Sequence, residues 1–196
     1  MVAADTVEFY AKPNYEELKK TAQLNGVEHT VLGTSYRSCR LGEGTKLFVW
    51  NHTEPSKDAE WVKEQPDIPA SGPMQCYHVV KGTTSIARVK FEDNTGGNPG
   101  DYTLILKLAN IGEVKIPSKD GKYAPAGVVP RDDTLVTTAV YVRKRNGEYP
   151  VTGSLYFQWN KTTEKVEILE KDNWPKDKLK HQADSANNFT ITLIST

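Results

Sequence analysis

The stretch 151–176, VTGSLYFQWNKTTEKVEILEKDNWPK, constrains the fold more than any other part of the chain. Within it Leu155, Phe157 and Trp159 alternate with Ser154, Tyr156 and Gln158. Side chains of an extended strand point alternately to opposite faces, so this run is a half-buried strand with one apolar side. Residues 160–164 supply polar turn chemistry. Val166 and Ile168 then resume the alternation against Lys165 and Glu167, which makes the stretch a hairpin. Pro175 has no amide hydrogen to give to a ladder and closes it. On this pattern Trp159 belongs to the core, whereas Trp174, with charged neighbours on both sides, is expected at the surface.

Comparable runs fill the rest of the chain. Residues 6–11, 35–42, 45–51 and 74–80 read as short strands separated by Gly, Pro and charged residues, a spacing that predicts a sandwich. Residues 15–24, YEELKKTAQL, have a helical composition but are too few for a stable isolated helix, and read as a loop or short helix. At 80–85, VKGTTS, the apolar pattern pauses and Gly and Thr accumulate, which places a linker there. Beyond it, residues 85–92, 101–110, 113–116, 134–145, the hairpin and 188–194 amount to about seven strands over roughly 110 residues, the size of an immunoglobulin-like sandwich. NTGGNPGD (94–101) reads as a hairpin loop, and RNGEYP (145–150) carries an Asn-Gly turn. The expected organisation is all-β with two domains, 1–82 and 83–196.

Composition removes several functions. Lys plus Arg and Asp plus Glu both number 25 in 196 residues, and a formally neutral chain is a poor match for a nucleic-acid phosphate backbone. No basic and apolar leader opens the sequence, so no signal peptide is expected, and no window approaches the roughly 18 apolar residues of a membrane span. Cys39 and Cys76 are too few for a disulfide framework and read as buried, reduced thiols. His29, His52, His78 and His181 have no zinc spacing, Ser154 lacks the second glycine of a nucleophile elbow, and there is no phosphate-binding glycine loop. The chain is therefore not expected to be an enzyme.

Two groups of residues carry a resemblance. VEFYAKPNYEE (7–17) approaches the Greek-key signature of the βγ-crystallins: Tyr10 and Tyr15 keep its aromatic spacing, and Glu17 stands in its glycine position. SYRSCRLGEGTKLFVW (35–50) is similar to the strand, glycine-containing turn and aromatic strand that follow in that fold. The hairpin, with V-x-G-S-L-Y-F followed by T-T, V-x-I and K-D-x-W-P-K, resembles the C-terminal region of the Dictyostelium-type calcium-dependent cell-adhesion molecules, and the order of parts agrees. The resemblance implies a βγ-crystallin-like Greek-key sandwich followed by an immunoglobulin-like β-sandwich. It implies a non-enzymatic adhesion protein, cytoplasmic and peripheral at the cell surface without a signal peptide, whose partner is itself (homophilic) or a cell-surface protein or glycan.

It also implies Ca²⁺. The two crystallin-type calcium loops align with residues 33–38 and 65–70. The first keeps only Ser38 and puts Arg37 where a hydroxyl is expected; the second keeps no motif ligand, although Asp67 lies inside it. Lost carboxylates weaken calcium sites, so binding in the first domain is expected to be weak, with any stronger site at Asp93 and Asp101 around the Gly-rich loop or beside Asp132 and Asp172. A different class of function, a carbohydrate-binding (lectin-like) module, rests on the aromatic residues near loops and strand ends: Trp50, Trp61, Tyr77, Tyr123, Tyr149 and Trp174. Among them Trp61 and Trp174 are the candidates for a partner or sugar surface.

Overall fold

The computed structural model describes residues 1–29, 35–51, 54, 56–70, 74–109 and 112–196, without the side chain of His29. These residues are all-β: sixteen strands, one 3₁₀ turn and no α-helix. They divide into two compact units, Met1–Thr83 and Thr84–Thr196.

The first unit holds β1 (Thr6–Tyr10), β2 (Leu18–Gln23), β3 (Val27–His29), β4 (Ser38–Leu41), β5 (Thr45–Trp50), β6 (Asp58–Trp61) and β7 (Cys76–Lys81). They form two sheets, β2-β1-β4 and β3-β7-β5-β6, antiparallel throughout. Val7, Phe9, Cys39, Leu47, Val49, Tyr77 and Val79 are fully buried within one cluster, and Phe9 lies 4.6 Å from Tyr36 and 4.5 Å from Tyr77, ring to ring. Residues 18–23 are a strand rather than the loop or short helix that their composition suggests. They pair with β1 along its whole length while burying only Ala22, so the ladder overrides a weak helical preference on an edge that needs no apolar alternation.

The tip of the β1–β2 hairpin carries the crystallin-like signature. Pro13–Tyr15 makes a 3₁₀ turn, Tyr10 and Tyr15 meet edge to face at 5.9 Å, and the Arg40 guanidinium lies 4.1 Å from the Tyr15 ring. Glu17 has φ +62°, the left-handed conformation that favours glycine, and its carbonyl accepts the Ala11 amide at 2.9 Å. The backbone geometry of the glycine position is thus kept with a side chain in place.

The second unit holds β8 (Ser85–Asp93), β9 (Tyr102–Leu108), β10 (Gly112–Pro117), β11 (Ala124–Val129), β12 (Val136–Lys144), β13 (Val151–Asn160), β14 (Lys165–Glu170), β15 (Leu179–Ala183) and β16 (Asn188–Leu193). A five-stranded sheet runs β10-β9-β12-β13-β14 and a four-stranded one β11-β8-β16-β15, with β16 and β8 parallel and every other pair antiparallel. The sheets pack face to face: Phe157 meets Phe189 at 5.8 Å, the Thr138 hydroxyl donates to the Ala126 carbonyl at 2.8 Å, and a Cβ on Gly127 would come 2.8 Å from the Phe157 ring. Strands β11 and β15 have no strand signal in the sequence. Both are edges of their sheet, where Pro125 and a polar LKHQA run are tolerated.

The hairpin holds as read, with Leu155 and Phe157 fully buried, but its two tryptophans exchange roles. Trp159 shares their face yet lies near the end of β13, where it is half-buried under the Arg131 guanidinium at 4.6 Å. Trp174 is 4% exposed. The segment after β14 folds back over β13 at Gly153, where a Cβ would come 2.6 Å from Pro175 and 2.9 Å from the Asn173 carbonyl. Asn173 and Ser154 are hydrogen-bonded through their side chains, and Trp174 packs edge to face on His181 at 5.7 Å. Charged neighbours in sequence did not keep it at the surface. Cys39 and Cys76 are buried and unbridged, and desolvation pushes the Cys39 thiol up to about 12.

Candidate functional site

In the first unit the loops that align with calcium loops are joined to each other through Arg37. Its Nε donates to the Ile68 carbonyl at 3.0 Å and its Nη2 to Asp67 at 3.1 Å, while the Ile68 amide donates to the Arg37 carbonyl at 2.7 Å. A guanidinium therefore takes up the loop oxygens a hard cation would need, and Asp67 is an ion-pair partner. Gly33 and Thr34 of the first loop, and His52, lie outside the described residues. The described loop residues, with Arg37 on Asp67 and on the Ile68 carbonyl, do not fit a calcium site.

The loop after β8 fits better. Asp93 accepts the Thr95 amide at 2.9 Å and hydroxyl at 2.7 Å through one oxygen, and Asp101 accepts the Asn98 amide at 3.0 Å. Gly97 leaves a gap between them: a Cβ there would sit 3.5 Å from Asp101 Oδ2, 3.6 Å from Thr95 Oγ1 and 3.8 Å from Asp93 Oδ2. Three side-chain oxygens around one point make a partial set of the six to eight a calcium ion takes. Asp132 accepts the Thr134 amide at 2.8 Å, and Asp172 borders a separate cleft of about 240 Å³ with Tyr156, Glu170, Lys171 and Asn173. Among the described residues no three His, Cys, Asp or Glu side chains converge as metal ligands.

Of the aromatic candidates, Trp50, Tyr77 and Trp174 are buried, Trp61 pairs opposite Leu47 and packs partly on the first unit's core, and Tyr123 is half-buried. Tyr149 alone is open, at 53% exposure. It belongs to a surface that the sequence reading passed over, the outer side of the five-stranded sheet. There Tyr141 stands between Ile105 and Thr152 in register, meets Tyr149 edge to face at 6.3 Å, and has Lys107 Nζ 5.0 Å above its ring. Ile105, Lys107, Glu113, Tyr141, Tyr149 and Thr152 line a groove of about 210 Å³. One strand over, Tyr156 lies opposite Leu169 and under Lys171 Nζ at 4.5 Å. The signal was the alternation itself, since Tyr141 and Tyr156 occupy the outward positions between buried Val140 and Val142, and between Leu155 and Phe157.

The outer side of the four-stranded sheet is different in kind. Tyr123, Thr190 and Gln182 all donate to Asp184 at 2.9, 2.6 and 3.2 Å, and Lys90 pairs with Glu92 at 3.0 Å. Burial pushes the Asp184 carboxyl up, but these donors outweigh it and hold the group below the ordinary range.

A family model described as membrane binding matches residues 87–194. Calcium-dependent cell adhesion molecule 1 of Dictyostelium discoideum is 25% identical over 174 residues, covering 82% of this chain and 80% of its own length. The crystal structure of Abundant Perithecial Protein (APP) from Neurospora crassa superposes with a TM-score of 0.80 and 33% identity, over 99% of this chain and 97% of that one. A βγ-crystallin domain of the same Neurospora protein, in its Ca²⁺-bound form, matches 42% of this chain with a TM-score of 0.38 and 27% identity.

Proposed function

Since this chain belongs to the membrane-binding family, we propose that it is a non-enzymatic adhesion protein that acts peripherally at the cell surface and associates with further copies of itself. The observation that carries this reading is the adhesion-molecule relative, whose likeness is long enough to extend over both units. On this reading the first unit is a βγ-crystallin-like domain, supported by its Tyr10, Tyr15 and Glu17 hairpin tip, and the second is immunoglobulin-like, supported by nine strands in two face-to-face sheets. Among the described residues no helix is long and apolar enough to cross a membrane.

Calcium enters the proposal from the Dictyostelium relative's name. The residues that would hold it here are Asp93, Thr95 and Asp101, and bound calcium would stiffen the β8–β9 loop. The test is sedimentation of the whole protein across a concentration series, with calcium and with chelator. Concentration-dependent self-association is the expected result, weakened by chelator and by Asp93→Asn with Asp101→Asn. A monomer at every concentration in both solutions would overturn the homophilic reading. Association indifferent to chelator would remove calcium from it.

A further inference from the structure

We propose that the outer side of the five-stranded sheet is the surface by which this protein docks on an anionic lipid bilayer, with Tyr141, Tyr149 and Tyr156 at headgroup level and Lys107 and Lys171 against lipid phosphates. This rests on the membrane-peripheral reading above and adds the face and the lipid chemistry. All five strands of this sheet, residues 102–170, fall within the matched segment 87–194.

The first argument is chemical. Tyrosine has an apolar body and a polar tip, which suits the boundary between acyl chains and water. The three rings, with Leu169 at 40% exposure beside Tyr156 and Ile105 at the floor of the groove, give this face an apolar content. The second argument is charge. The outward positions of the five strands carry Lys107, Lys115, Arg143 and Lys165 against Glu113 and Glu167, and Lys171 follows β14 directly, with Glu170 and Asp172 beside it on the cleft that Tyr156 borders. A chain with equal numbers of acids and bases has thus collected an excess of cations on one face. Lys115 is committed to Glu113 at 3.3 Å, but among the described residues neither Lys107 nor Lys171 is in an ion pair. In each the ammonium group itself lies over a tyrosine ring, a cation–π contact that leaves it without a carboxylate and open to exchange for a lipid phosphate. The outer side of the other sheet differs in that its Asp184 network and the Lys90–Glu92 pair tie polar groups to one another, and no tyrosine pair lines a groove there among the described residues.

The test is co-sedimentation of the whole protein with vesicles of phosphatidylcholine alone and of phosphatidylcholine mixed with phosphatidylserine, at low and high salt. Binding to the mixed vesicles only, reduced by salt, is the expected result. A basic side chain near an anionic surface is worth roughly a five-fold gain in partition, so Lys107→Glu with Lys171→Glu should lower it by about 25-fold or more. Tyr149→Ser should weaken binding, while Lys180→Glu on β15 should leave it unchanged. Thermal melts of each variant show that the loss is not unfolding. If the wild type binds mixed vesicles and the double variant binds equally well, the face is wrong while the membrane reading stands. Equal binding to neutral vesicles would overturn the lipid chemistry. Failure of the wild type to bind either vesicle would overturn both the face and the peripheral reading. If Tyr149→Ser abolishes self-association and leaves vesicle binding intact, the face belongs to a second copy and the inference falls.

Discussion

Trp174 is buried and packs edge to face on His181, so Trp174→Ala should destabilise the second unit by about 3 to 5 kcal/mol, as for any large buried aromatic. Trp159, half-buried with Arg131 on its ring, should cost about 1 to 2 kcal/mol, from partial area and a cation–π contact. Chemical denaturation of the two variants checks the order, and a larger loss at Trp159 would contradict it. Glu17 presents the opposite opportunity. A left-handed L-residue costs about 1 to 2 kcal/mol, and glycine gives back only about 0.5 to 1 in chain entropy. Glu17→Gly should therefore raise the melting temperature slightly, despite losing an exposed ion pair to Lys12. A lower melting temperature would mean that the Glu17 side chain does more than tolerate its backbone.

At the scale of elements, the first unit is cross-braced by Glu28 on β3. Its carboxylate accepts Lys20 Nζ of β2 at 2.6 Å and the Tyr36 hydroxyl at 3.0 Å, so it links strands of two different sheets. Burial raises its pKa, but those donors and the Lys20 charge outweigh the effect and hold it below the ordinary carboxylate value. A carboxyl with a depressed folded pKa contributes stability in full above its unfolded pKa and loses it as pH falls through the lower folded value. Acid should therefore weaken the wild type across that window, and Glu28→Gln should flatten this part of the profile and be less stable near neutrality. Melting curves from neutral to acid pH test this, and parallel profiles for the two proteins would exclude Glu28 as a source of the acid limb.

For the whole molecule, the division at residues 83 and 84 falls in the short connection between β7 and β8, and each side has its own buried core. Fragments 1–83 and 84–196 are expected to fold separately, each with a cooperative thermal transition. A fragment that shows no transition by circular dichroism would mean that its core depends on the other unit. The same fragments separate the two proposed activities, since the vesicle-binding face lies wholly in 84–196.

Much of this architecture was legible in the sequence, because period-two alternation reports directly which side of a strand is buried. That is why Leu155 and Phe157 were readable as core, and why a chain of such runs could be read as all-β. Strands without alternation were not legible: β2, β11 and β15 are edges, stabilised by ladder hydrogen bonds that their own side chains do not encode. The candidate sites divide in the same way. The oxygens of Asp93 and Asp101 lie within one short loop, so their proximity was local and visible, although the loop crosses from one sheet to the other and is not the hairpin its turn residues suggest. Arg37 reaching Asp67, Gly153 admitting Pro175 over Trp174, and Lys107 settling on Tyr141 each join residues far apart in the chain or on different strands. Sequence determined which residues could face inward or outward; only the packing of distant strands decided which outward residues meet, because contact across a sheet depends on register and on how closely neighbouring segments can approach.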